Sequence, residues 1–84
     1  MKLFSVFDKQ VGAFMPLFPA RATGEALRMI TDAMNDPNSQ LGRHPLDFAL
    51  YECCDWDEST AEFQTTAEHP RKVLDLSELK EKGG

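Results

Sequence analysis

Between Arg43 and Arg71 the chain has no lysine or arginine. That stretch, 44–70, holds seven acids: Asp47, Glu52, Asp55, Asp57, Glu58, Glu62 and Glu68. Residues 1–43 and 71–84 each carry +1, so the net charge of −5 comes from the middle. A surface built from that middle repels phosphate and attracts a basic partner, or else serves as a solvated rim that keeps a small protein soluble. Cysteine is scarce too. Cys53 and Cys54 are the only two, and as neighbours they exclude a disulfide scaffold, since bridging them strains the geometry and closes almost no loop. Reduced thiols in a cytosol-like compartment follow. No apolar run approaches the ~18 residues that cross a bilayer, and no apolar segment with a small-residue cleavage site follows Met1. The chain is therefore expected to be soluble, away from membranes, and to stay where it is made.

The constellations that carry chemistry are also missing. Zinc ligands usually come as Cys-x₂₋₄-Cys or His-x₃₋₅-His. His44, Cys53, Cys54 and His69 offer neither spacing, and adjacent strand residues point to opposite faces. Asp55-Trp56-Asp57-Glu58-Ser59 opens like a calcium loop, but Thr60 and Thr66 stand where glycine and glutamate are required. These residues read instead as turn formers. No base stands in a recognisable signature beside Cys53, Cys54 or a serine, and there is no glycine-rich phosphate loop. The expectation is a protein without catalytic residues, metal or cofactor.

What is present is a strand pattern. Lys2–Asp8 alternates, with Phe4 and Val6 on one side and Leu3, Ser5 and Phe7 on the other. Asp8–Gly12 is a hairpin loop with Gly12 available for positive φ. Ala13–Phe18 returns as a second strand, which Pro16 and Pro19 confine to an edge or end early. Thr23 is placed to cap a helix over Gly24–Met34, whose stripe is Ala26, Leu27, Ile30, Ala33 and Met34. Asn35-Asp36-Pro37 ends it. Leu46–Cys54 and Ala61–Thr66 form a second hairpin through a turn at Asp55–Thr60, and Val73, Leu74, Leu76 and Leu79 dock a short terminal helix. The fold class is α+β: a small antiparallel sheet of about four strands in ββαββ order, covered by one helix, with a short C-terminal helix or tail. It forms one domain over 1–79, with a flexible tail at 80–84.

Two surfaces suggest contacts. Asp55, Trp56, Asp57 and Glu58 form an acidic hairpin tip with an aromatic anchor for a protein partner, unless Trp56 folds back over Val73 or Leu74. Phe14 and Phe18 near Arg21 and Arg28 offer stacking and charge for weak, salt-sensitive single-stranded DNA binding; the competing reading is that these phenylalanines are core. A chain of 84 residues buries only about 60–65% of its unfolded surface. One helix leaves Leu3, Phe7 and Tyr51 on the sheet uncovered, so a homo-oligomer, a dimer, is expected.

Certain blocks carry a family resemblance: Met1-Lys2-Leu3-Phe4-Ser5-Val6-Phe7-Asp8, Pro16-Leu17-Phe18-Pro19-Ala20-Arg21, Gly24-Glu25-Ala26, Asn35-Asp36-Pro37, Asp47-Phe48-Ala49-Leu50-Tyr51, and Trp56-Asp57 followed by Phe63. Across about residues 1–63 the chain resembles the small nonstructural protein of gokushoviruses, single-stranded DNA phages of the Microviridae. Related proteins often place glycine where this chain has Cys54 and Ala61. The resemblance implies a nonstructural protein of the host bacterial cytoplasm that shifts replication toward single-strand synthesis and packaging. It supplies no catalytic residues. On this basis the expected role is a non-enzymatic adaptor that meets a phage or host replication or packaging protein. The alternatives are direct single-stranded DNA binding, or acidic inhibition of a host nucleic-acid-binding protein.

Overall fold

The computed structural model describes residues 1–82, with side chains through Leu79. Along the chain the elements are β1 (Lys2–Asp8), β2 (Ala13–Phe14), β3 (Phe18–Ala20), α1 (Thr23–Met34), α2 (Gln40–Arg43), a 3-10 turn (Pro45–Asp47), β4 (Phe48–Asp57), β5 (Glu62–Gln64), β6 (Arg71–Asp75) and α3 (Leu76–Lys82). The expected tail at 80–84 falls outside the residues whose side chains are described. No helix among the described residues is long and apolar enough to cross a membrane.

The fold is α+β with an open, wholly antiparallel sheet, and β1 and β4 are its two central strands. Each outer edge is divided between two short strands. β2 pairs with the end of β1 and β3 with its beginning, while β5 pairs with the end of β4 and β6 with its beginning. Six strands therefore occupy the places of the expected four, the edge strands being short. The reason lies in the sequence. Pro16 cannot donate to a ladder, so the second strand breaks over Met15–Leu17, and the buried Ser5 hydroxyl donates to the Met15 carbonyl at the break. Val73 and Leu74 belong to β6 and not to the terminal helix, because Leu74 stands opposite Leu50 on β4. Leu76 and Leu79 of α3 do dock against the core.

Register assigns every side chain to a face. Phe4 pairs with Phe18 and Glu52, and Val6 pairs with Leu50. With Phe48, these apolar side chains meet Ala26, Ile30 and Met34 of α1, Leu41 of α2 and Leu76 of α3 in one core. All three helices thus cover the same face. The helix α1 begins one residue earlier than expected, and Thr23 does not cap it. Ala22 occupies the cap in extended backbone (φ −153°, ψ 164°), and its carbonyl accepts from Glu25 N and Ala26 N at 3.1 and 3.2 Å.

Both hairpin turns are built from aspartate and one left-handed residue. In the first, Asp8 Oδ1 accepts from the Gln10 and Val11 amides at 3.0 and 3.2 Å, and Gly12 takes φ +76° as its position requires. In the second, Asp57 Oδ1 accepts from the Ser59 amide and hydroxyl at 2.9 and 2.6 Å, and Ala61 takes φ +63°. An L-residue other than glycine there costs roughly 1–2 kcal/mol, offset in part by the greater unfolded freedom of glycine. Ala61→Gly is therefore expected to stabilise the protein by about 0.5–1 kcal/mol. A urea unfolding midpoint that rises checks this; a midpoint that falls would refute it.

Candidate functional site

The acids of the middle segment divide into two groups. Glu52 is buried on the helix-covered face, where Phe4 and Arg71 are its register partners. Its Oε1 accepts from Arg71 at 2.8 Å and its Oε2 from His69 Nε2 at 2.7 Å, with Lys2 Nζ at 3.5 Å. The His69 bond above all, then Arg71 and Lys2, outweighs burial and holds the Glu52 carboxyl down at about 2, against an ordinary 4.5. His69 Nδ1 accepts from the Thr66 amide at 3.1 Å. With Nδ1 accepting there, the ring donates from Nε2 to Glu52. In the sequence Glu52 reads as one of the surface acids and His69 as part of a zinc set with the wrong spacing. Two segments distant in sequence, one with Lys2 and the other with His69 and Arg71, supply the partners, and no local motif marks them.

The second group lies on the β4–β5 hairpin. Asp55, Trp56 and Asp57 end β4, and Glu58 opens the turn. Trp56 stands opposite Phe63 in register, and its backbone is tied to Met1 by bonds of 2.7 and 3.1 Å. The Ser59 hydroxyl and amide hold Asp57 below the usual carboxylate range. Glu58 lies 3.9 Å from the Met1 ammonium. Met1, Asp55, Trp56, Asp57, Glu58 and Gln64 line a shallow open depression. Trp56 does not fold back over Val73 or Leu74, because β6, which carries them, runs beside the opposite end of β4. Beside it, Phe63 is 66% exposed. The hairpin thus joins carboxylates to two aromatic rings, which the sequence anticipated for Trp56 but not for Phe63.

The proposed DNA-contacting residues are not brought to one surface. Phe14 pairs with Phe7 on the helix-free face, whereas Phe18 stacks on Phe4 (6.0 Å, 27°) on the helix-covered face. Phe18 is thus part of the core, the competing reading of the sequence. Arg21 follows β3 and Arg28 is on the exposed side of α1. On the helix-free face Phe7, Phe14 and Tyr51 form a cluster, with centroids 4.9, 5.1 and 6.2 Å apart.

Cys53 is the extra residue of a bulge in β4, since Cys54 pairs with Leu3 and Glu52 with Phe4. Burial, with the neighbouring Cys54 and Glu52, pushes the Cys53 thiol up; burial and Asp55 do the same to Cys54. Both thiols are held away from the reactive thiolate form. Among the described residues, no three His, Cys, Asp or Glu side chains converge as a metal site requires.

No curated protein and no solved structure matches the chain. The sequence model of one family, described as Phage ORF5 protein, matches residues 1–79, which take in every strand and all but the last three residues of α3. The chain therefore belongs to the Phage ORF5 protein family and is a bacteriophage protein.

Proposed function

We propose that the protein is a nonstructural accessory protein of a gokushovirus that promotes single-stranded DNA synthesis and packaging as a non-enzymatic adaptor in the host cytoplasm. The observation that carries the adaptor reading is the division of the acids. Glu52 and Asp75 are neutralised by the protein's own cations. By contrast, among the described residues Asp55, Asp57 and Glu62 face no lysine or arginine across an ion pair, and they flank Trp56 and Phe63. Carboxylates around aromatic anchors suit a basic segment of a replication or capsid protein, with the rings supplying affinity and the charges supplying rate and orientation. Family membership and the resemblance of residues 1–63 support the phage setting.

The test is binding of the phage's own purified replication and capsid proteins to the immobilised protein, at low and physiological salt. Binding to at least one, weakened by salt, is expected. The triple change Asp55→Asn, Asp57→Asn, Glu58→Gln, and separately Trp56→Ala, should each weaken it at least tenfold with the circular dichroism spectrum unchanged. Undiminished binding by the folded variants would remove the hairpin from the function.

A further inference from the structure

We propose that the helix-free face of the sheet is a homodimer interface, in which Phe7, Phe14 and Tyr51 pack against the same residues of a second copy. The helices all lie on the other face. Four of the seven large apolar side chains that are exposed, Val11, Phe14, Met15 and Leu17, come from the single segment 11–17. That segment runs along the edge of this face, and Phe14 is 47% exposed while its ring already rests on Phe7 and Tyr51. Beneath the rings the layer is small. Ser5 is the register partner of Tyr51, Ala49 is that of Phe7, and both are buried. The cluster is thus a preformed, close-packed platform, which lowers the ordering cost of docking.

Charge decides what covers it. The lysines bordering the cluster, Lys9 and Lys72, both bond to Asp75, at 2.9 and 3.0 Å. They hold its carboxyl below the usual carboxylate range, while Asp75 pushes the titration of the Lys72 ammonium up. A nucleic-acid strand would need free cations here, and the chain as a whole is at −5. A basic partner would need free carboxylates, and at this rim Asp75 is already shared by two lysines while Glu78 accepts from the Asp75 amide. An apolar centre with a self-neutralised rim matches its own image under a two-fold axis. The added burial also meets the need of a domain this small for a second source of stability.

Sedimentation equilibrium of the full chain from 1 to 200 μM is the test, with Phe14→Asp and, as a milder probe, Leu17→Lys. A dimer is expected for the wild type, with at least a tenfold weaker dimer for each variant that keeps its circular dichroism spectrum. The Asp57→Asn, Glu58→Gln protein should dimerise as the wild type does, which separates this interface from the adaptor hairpin. A wild-type monomer at 200 μM, or dimers unaffected by Leu17→Lys, would overturn the proposal. So would fluorescence anisotropy showing that single-stranded DNA binds the wild type and loses its affinity in these variants.

Discussion

Glu52→Gln is expected to cost about 3 kcal/mol at pH 7, the largest loss available from a single change of charge. The folded carboxyl titrates at about 2 against an ordinary 4.5. A depressed carboxylate contributes its stabilisation in full above its unfolded value and loses it as pH falls through the folded one. The wild type should therefore lose this increment between about pH 4.5 and pH 2, and Glu52→Gln, having nothing to lose, should show a flatter acid limb. Glutamine can still accept from His69 Nε2. It then turns an NH₂ toward Arg71, leaving the guanidinium without an anion in a site where the carboxylate is only 5% exposed. Typical stability for a domain of this length is about 4–13 kcal/mol, so the change removes roughly a quarter to three-quarters of it. Urea titrations of both proteins at pH 7 and pH 3 would show a wide gap at the first and a narrower one at the second. Equal gaps at the two pH values would mean that Glu52 is not the titrating group.

Gly42→Ala should be nearly as damaging, for a steric reason. A Cβ on Gly42 would be driven into the Met34 carbonyl oxygen and stand 3.0 Å from that of Asp36. Both obstacles are backbone at the end of α1, so no side chain can swing aside. The short helix α2 would have to lift, drawing the buried Leu41 from the core and pulling its amide from the Ser39 hydroxyl, a bond of 3.1 Å. Overpacking of this kind costs about 3 kcal/mol, or a fall in Tm on the order of 15 °C for a domain of this size. A fall of only a degree or two would show that α2 is free to shift.

Neither effect is visible in the linear sequence, and the reason is physical. Strand β1, the helix stripe and both aspartate turns follow from short-range rules: alternation, 3.6-residue spacing and side-chain bonds two residues along. All of these are legible from residues within a few positions of each other. Glu52 depends on Lys2, His69 and Arg71 from distant segments, and Gly42 on how the loop after α1 folds α2 back against the carbonyls of Met34 and Asp36, which no periodicity or turn rule prescribes. Strand β6 escapes for a related reason. Its Arg71, Lys72 and Asp75 lack β-propensity, and the strand forms because Arg71 finds Glu52 and Leu74 finds Leu50 across the ladder. At the candidate site, the hairpin acids and Trp56 can be read from the chain. The Phe7–Phe14–Tyr51 cluster needed the register to place Phe14 and Phe18 on opposite faces.

The divided edges bear on how the molecule can associate at all. An uninterrupted rim strand invites a foreign strand to zip on and begin fibril growth. Here one rim offers two residues, then a proline-bearing gap, then three more that include Pro19; the other offers three residues and then five, with Val73 bulged out of register. No run is long and regular enough to template an extended ladder. Lateral recruitment by strand addition is suppressed along both sides, which leaves side chains, on the faces of the sheet and at its hairpin tips, as the means by which this chain can associate.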